Sequence, residues 1–371
     1  MEDVAIIGAG PAGSTLAALL AARGVGVTIH DRDAFPRDKL CGEFLSYDAL
    51  PVLHPLGVIE EIDRAGAPHI SRCRVVGAKR TYEFDLPHPA RGVSRLFFDD
   101  LLLRTAAHRG AKRADGVTVT SLDELDAKIV VGAWGRWGRF DQQLQRGFVR
   151  DRSHRNFGFK RHYLSPNAEP RNTIDLYAFT KGYLGVNAIE GDLTNICGLV
   201  HASRLAGHKG RWDAFIEAIR REHPRLEQLY AQHEPAQDGY LSSEPVIFRA
   251  RSAVEGGVFM IGDASGVIDP LTGNGMAMAI QSALVAAPML IRVLESPARR
   301  GAIEAEYRRA HRAMFTPRIL WSRRVASLLS RPRLLDAALA TTRWPRIGEL
   351  LLRRTRASRD EIERLAAAWF C

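Results

Sequence analysis

The segment Val4-Ala5-Ile6-Ile7-Gly8-Ala9-Gly10-Pro11-Ala12-Gly13 constrains this chain more than any other. A short apolar run enters a glycine turn and then an Ala/Leu-rich helical stretch from Ser14 to Arg23. A second strand-like run, Val25 to Ile29, ends in His30-Asp31-Arg32. The order is strand, turn, helix, strand, acid, and each part has a physical task. Gly8 allows the tight turn, Gly10 lets the backbone approach a pyrophosphate, and Gly13 lets helix and strand pack closely. Pro11 and Ala12 open a helix whose N-terminus offers unpaired N–H groups and a positive dipole end to phosphates. Asp31, with Arg32 beside it, stands where ribose hydroxyls are held. Because the first strand starts within a few residues of Met1, no signal or transit peptide is expected ahead of it.

A chain of 371 residues is expected to hold two or three structural units. Cys41, Cys73, Cys197 and Cys371 are far apart, with no CxxC and no clustered histidines. A zinc site or disulfide framework is therefore not expected, no metal is assigned, and a reducing cytoplasm fits. No apolar stretch of about 20 residues is free of charge or proline, so no membrane-spanning helix is expected. The net charge of +10 is concentrated: from Arg292 onward there are 18 Arg, no Lys and 8 acids, so the rest of the chain is neutral overall.

Further elements follow from pattern. Ala49 to Ala65 reads as helix interrupted at Pro51 and Pro55, Arg74 to Leu86 as strand, and Arg95 to Arg109 as helix. Ala127 to Gly132 is a buried-type strand running into Ala133-Trp134-Gly135. Thr173 to Phe179, Tyr183 to Ile189 and Thr194 to Val200 are three strand-like runs split by short turns, which predicts an antiparallel meander. Arg211 to His223 is an amphipathic helix. After Pro297, amphipathic Arg-rich helices are expected to break at Pro317, Pro332 and Pro345.

A second motif follows the strand Val258 to Ile261. It reads Gly262-Asp263-Ala264-Ser265-Gly266-Val267-Ile268-Asp269-Pro270-Leu271-Thr272-Gly273-Asn274-Gly275-Met276. Asp263 at a strand end suits sugar or ribityl hydroxyls. Gly273 and Gly275 let backbone come close to a flat ring, and the helix opening at Met276 points its positive end there. Such a helix end stabilises the negative charge of a reduced flavin.

With these marks the chain resembles the flavin-binding enzymes related to aromatic hydroxylases, geranylgeranyl reductases and flavin-dependent halogenases. The shared marks are Gly8 to Gly13, Arg95 opening a mid-domain helix, and Gly262-Asp263 through Gly275. The loop Phe35-Pro36-Arg37-Asp38-Lys39-Leu40-Cys41-Gly42-Glu43 is most similar to the geranylgeranyl-reductase branch. The resemblance covers about residues 1–295. It implies FAD, with Asp31 on the adenosine ribose, Arg95 near the pyrophosphate or ribityl chain, and Asp263 on the ribityl chain. It also implies that Pro270, Gly273, Asn274, Gly275 and Met276 border the isoalloxazine. The chain departs from its relatives as well. Trp134-Gly135 stands where aromatic hydroxylases carry Asp-Gly. The place of the reductases' Tyr-x-Trp-x-Phe-Pro strand reads Tyr183-Leu184-Gly185-Val186-Asn187-Ala188, and the halogenase Trp-x-Trp-x-Ile-Pro signature is absent. Halogenation is therefore not expected from the motifs.

The expected fold is α/β: a Rossmann-type FAD-binding domain (1–70, 95–137 and 240–295), an interleaved antiparallel sheet as substrate domain (71–94 and 138–239), and an Arg-rich helical region (296–371). The expected function is FAD-dependent oxidation, with NAD(P)H as donor and an apolar or aromatic small-molecule secondary metabolite, free or carrier-bound, as substrate. Oxygen transfer is favoured over a geranylgeranyl-reductase-like saturation of carbon–carbon double bonds and over a non-catalytic flavin-binding protein. Cys41 and Glu43 are the candidate proton donor and acid. Tyr177, Tyr183 and Asn187 are candidate substrate contacts, if the meander roofs the flavin. Trp134, Trp137 and His30 are read as packing residues. The basic tail suits an acidic carrier protein, an anionic membrane or plain solvation, and not nucleic acid.

Overall fold

The computed structural model describes residues 2–77, 79–151, 155–165, 171–341 and 345–370, with backbone alone at 339–341 and 345–347. Cys371 lies outside the described residues. The first layer is a six-stranded sheet in the order Val254–Glu255, Val258–Met260, Ala127–Gly132, Glu2–Ile7, Val27–Asp31, Lys112–Asp115. All neighbours are parallel except the edge pair Val254–Glu255 and Val258–Met260. Its central strand is an apolar run because both faces are covered, and Val4 and Ile6 have no exposed surface. Helices Pro11–Ala21, Arg95–His108 and Gly275–Glu295 pack against one another beside this sheet. Parallel pairing brings the carboxyl ends of the strands to one edge. Gly8, Asp31, Ala133 and Gly262 therefore meet there, where open α/β sheets bind ligands.

The second layer is a nine-stranded sheet. Its path runs Glu234–Pro235, Asn156–Leu164, Leu193–His201, Gly182–Ala188, Thr173–Phe179, His69–Val76, Thr81–Gly92, Phe44–Leu45, with Leu241–Ser242 also paired to Asn156–Leu164. The predicted meander is present, Thr173–Phe179 to Leu193–His201, with its first turn at Thr180-Lys181, where Lys181 has φ +63°. The predicted single strand from Arg74 to Leu86 is instead two strands, His69–Val76 and Thr81–Gly92, paired antiparallel around Gly77. A further strand, Asn156–Leu164, was not expected. Phe157, Phe159 and Tyr163 alternate along it and pack against helices Trp212–Glu222 and Pro224–Ala231.

The tail is helical: Arg300–Leu329, Pro332–Thr341, Pro345–Thr355 and Arg359–Phe370. Pro332 and Pro345 open helices, as expected. Pro317 does not break one: Arg300–Leu329 runs through it. The lost hydrogen bond costs a few kcal/mol, but Phe315 and Ile319 on either side are almost fully buried and hold the helix in place. Helix Gly275–Glu295 is long and apolar enough to cross a bilayer, yet 61% of its apolar window is buried in the core. It reads as the core helix of this fold.

Candidate active site

The glycine turn is fixed by close backbone packing. Gly8 has φ +112°, and a Cβ there would stand 2.3 Å from the Ala133 carbonyl oxygen. A Cβ at Gly13 would stand 1.9 Å from the carbonyl oxygen of Gly8. Gly10 faces open space, its nearest neighbour being the Arg95 guanidinium. The helix that starts at Pro11 has no side-chain cap and no acid in its first turn. Its free N–H groups therefore lack an anion. Asp31 at the second strand end accepts from the backbone N–H of Ala9 at 2.7 Å and of Asp33 at 3.0 Å. Both Asp31 and the exposed Arg32 line the cleft.

Next along the cleft is a group of cations. Arg95, the first residue of its helix, pairs through two nitrogens with Asp99, each at 2.6 Å. Arg37 reaches the same carboxylate at 2.8 Å. Asp99 has no exposed surface and aligns both guanidiniums. Lys39 and Arg136 also line the cleft and have no carboxylate within 4 Å among the described residues. Burial, aided by Arg37, Arg95 and Arg136, pulls the Lys39 ammonium down to about 8. A doubly charged pyrophosphate supplies the negative charge this group lacks. Arg37 and Lys39 were not picked out from sequence. An Arg-x-Lys pair in the loop before Cys41-Gly42 was the available signal.

The distal motif lies opposite. Gly262, with φ +59°, packs its turn on Ala12 of the first helix, where a Cβ would approach to 2.9 Å. Asp263, Pro270, Gly273, Gly275 and Met276 line the cleft. Asn274 does not: it is fully buried, and its amide donates to the Thr355 carbonyl of the tail. Helix Gly275–Glu295 has no acid in its first turn, and its N-terminus opens on the cleft.

The nine-stranded sheet forms the roof. Register places His162, Asn195 and Asn187 in one row, and Lys160, Cys197, Gly185 and Leu176 in the next. The third row holds Leu199, Tyr183 and Ala178. Ile174, Leu176, Tyr183, Gly185, Asn187 and Cys197 line the cleft. Tyr177 does not, which corrects the expectation for it. On the pleat it points to the opposite face, where it packs with Phe179 and the helix-side cluster. The Tyr183 hydroxyl donates to Asp269 at 2.6 Å. Burial pushes the Asp269 carboxyl up to about 6.

Glu43 sits between roof and floor with no exposed surface and a left-handed backbone, φ +53°. Its carboxylate accepts from Lys160 Nζ at 2.7 Å and from the backbone N–H of Arg95 at 2.8 Å. Its other oxygen is 2.6 Å from His162 Nε2. Lys160 is also 2.6 Å from Asp38. Burial pulls the Lys160 ammonium down, but Glu43 and Asp38 outweigh this and hold it above its ordinary value. Cys41 lines the cleft beside Glu43, whose backbone N–H points to its Sγ at 3.4 Å. Lys160 and His162 were missed because their strand was missed. Trp134 and Trp137 are held by Asp141 and by the Pro245 carbonyl, and they form part of the cleft rim. Among the described residues no group of three His, Cys, Asp or Glu side chains is placed to hold a metal ion.

The cleft encloses about 320 Å³ and runs unbroken from Asp31 to the apolar side chains Leu176, Phe248 and Val267. The residues fit FAD along its length. Asp31 and Arg32 would hold the adenosine end, the helix N-terminus with Arg95, Lys39 and Arg136 the pyrophosphate, and Asp263 the ribityl chain, while Gly273, Gly275 and Met276 would border the ring.

The chain matches the model of a family described as FAD binding domain, over residues 1–131 and 109–316. It is 26% identical over 361 residues to a tryptophan 2-halogenase of Chondromyces crocatus, covering 87% of this chain and 67% of that protein. It is 27% identical over 321 residues to a 1H-pyrrole-2-carbonyl-[peptidyl-carrier protein] brominase of Pseudoalteromonas luteoviolacea, covering 79% and 78%. A squalene monooxygenase of Mus musculus is 27% identical over 313 residues, covering 75% and 53%. The solved flavin-dependent brominase Bmp2 superposes with a TM-score of 0.79 at 20% identity, over 99% of this chain and 98% of that one, which shows a shared fold. These relatives do not support the geranylgeranyl-reductase branch that the Cys41 loop suggested.

Proposed function

The chain belongs to the FAD binding domain family and is an FAD-dependent enzyme of the oxidoreductase kind, and from that premise we propose that it transfers oxygen to an apolar or aromatic small molecule, as a monooxygenase. Reduced FAD supplies two electrons and activates molecular oxygen when bound. The chain's own residues bind, orient and exclude water. Arg95, Lys39 and Arg136 neutralise the pyrophosphate. The N-terminus of helix Gly275–Glu295 steadies negative charge on the ring. The roof sheet covers the ring, and Ile174, Leu176, Phe248 and Val267 offer the substrate an apolar wall. Tyr183 and Asn187 supply polar contacts from that roof. Glu43, whose carboxylate accepts from Lys160 and from the Arg95 N–H and lies 2.6 Å from His162, fixes the loop that places Cys41 beside the cleft. NAD(P)H is the electron source in this reading.

The observation that carries the reading is the continuity of one cleft from the nucleotide-binding turn to an apolar wall. Halogenation is the second reading, favoured by the halogenase relatives and opposed by the absence of the Trp-x-Trp-x-Ile-Pro signature from the sequence. Turnover of a panel of aromatic acids and their thioesters under 18O2, with and without bromide, separates the outcomes by product mass. Incorporation of one heavy oxygen atom supports the monooxygenase. A brominated product supports halogenation, and a gain of two hydrogens returns the assignment to reduction.

A further inference from the structure

We infer that the outer face of helices Arg300–Leu329, Pro332–Thr341 and Pro345–Thr355 docks an acidic carrier protein that presents the substrate as a tethered thioester. The inference rests on the oxygenase reading for its cargo, and on charge for its surface. Arg323, Arg324, Arg333, Arg353 and Arg354 on these three helices, and Arg331 in the link between the first two, are all exposed. None has a carboxylate within ion-pair distance among the described residues. Arg292, Arg300 and Arg359 of the tail are matched, with Glu306, Glu304 and Glu363, whereas Arg299, Arg309, Arg312 and Arg364 have no such partner among the described residues either. Arg324 and Arg354, from two different helices, lie 5.3 and 5.5 Å from the Trp321 ring centre and join the helices into one surface. Asp336 and Glu349 lie on these helices too, but the arginines outnumber them, and an excess of one sign suits a partner of the opposite sign.

A protein fits this surface better than a bilayer. A helix lying on a membrane needs a free apolar face, and here those faces are already used. Ala326, Leu329 and Leu335 pack with Tyr183, Phe248 and Leu271, while Leu352 packs with Phe44 and Ile70. The exposed leucines, Leu320, Leu334 and Leu350, sit on three separate helices. The surface also adjoins the substrate end of the cleft. Arg323 follows Ser322, whose hydroxyl accepts from the backbone N–H of Asp269 at 3.3 Å, and Asp269 holds Tyr183 of the roof. A carrier on the outer face is thus about one helix diameter, roughly 10 Å, from the cleft wall.

The test is fluorescence anisotropy with the FAD-loaded full chain and a labelled, phosphopantetheinylated bacterial acyl carrier protein, at low and high salt. Vesicles of phosphatidylcholine with phosphatidylserine run in parallel. The inference predicts carrier binding that salt weakens and that R331E/R333E and R324E/R354E each weaken by about tenfold or more. The first variant leaves the Trp321 contacts intact, so a folding defect in the second does not remove the test. No carrier binding, binding indifferent to both variants, or binding to vesicles in place of the carrier each overturns it. Because docking is measured without turnover, its failure leaves the oxygenase reading standing, and the reverse also holds.

Discussion

Lys160 Nζ lies 2.7 Å from Oε1 of Glu43, and neither side chain has any exposed surface. The pair ties the loop that carries Lys39 and Cys41 to the roof strand Asn156–Leu164. Asp38 on the far side of the ammonium extends it. Removing one member strands a buried charge. Lys160→Met is expected to cost about 3–5 kcal/mol in urea unfolding, whereas Glu43→Gln, which keeps an acceptor for Lys160 and for the Arg95 N–H, costs clearly less. Equal losses would mean that the charge pairing, not the acceptor geometry that Gln keeps, holds the loop.

Lys39 has a different prediction. Its ammonium is buried among cations, so the free protein holds it weakly charged above pH about 8. A pyrophosphate favours the charged form. FAD affinity is therefore expected to fall as pH rises through 8. In Lys39→Met it should be weaker by about tenfold at neutral pH and lose that pH dependence. Fluorescence titration of FAD from pH 6 to 10 checks both.

Asp269 links stability to pH in the opposite sense from most carboxylates. Its folded value, raised to about 6, exceeds the unfolded value of about 3.9. Between these values the folded state binds more protons, so this residue's contribution is full below the unfolded value and is lost as pH rises through 6. The span corresponds to roughly 3 kcal/mol. Asp269→Asn still accepts from Tyr183 and from the Leu271 N–H, so it should remove this slope. Melting temperatures of both proteins from pH 4 to 7 give the comparison, and parallel curves would contradict it.

Gly13→Ala places a methyl 1.9 Å from the Gly8 carbonyl oxygen. Backbone cannot move aside cheaply there. The variant is expected to lose about 1–3 kcal/mol of stability and to bind FAD poorly, while an alanine at Gly57, which has open space but φ +75°, costs stability without affecting FAD.

What was legible in the sequence was local. The glycine turn, the strand before Gly262 and the three meander strands follow from residues adjacent in the chain, where period and turn chemistry act. The charge cluster was not legible, because Glu43 meets Lys160 and His162 across more than a hundred residues. The alternation of Phe157, Phe159 and Tyr163 would have revealed their strand, but the polar residues facing Glu43 break its other face. Tyr177 and Tyr183 look alike in composition, and only the pleat separates them. The tail was read as an exposed basic face, yet two of its arginines are buried. Arg318 bonds Gln281 at 2.7 Å, and Arg356 bonds the Ser46 hydroxyl and the Thr272 carbonyl. They fasten helix Gly275–Glu295, Ser46 and the Thr272 turn to the tail, and no periodicity distinguishes them from their exposed neighbours.

The central claim is that this cleft holds FAD for reaction with oxygen. The most direct measurement mixes anaerobically reduced, FAD-loaded protein with oxygenated buffer and follows absorbance in a stopped-flow instrument, with and without an aromatic substrate mixture. The account predicts two phases, the first with a spectrum belonging to neither reduced nor oxidised flavin. A single slow return to oxidised flavin under both conditions would contradict it.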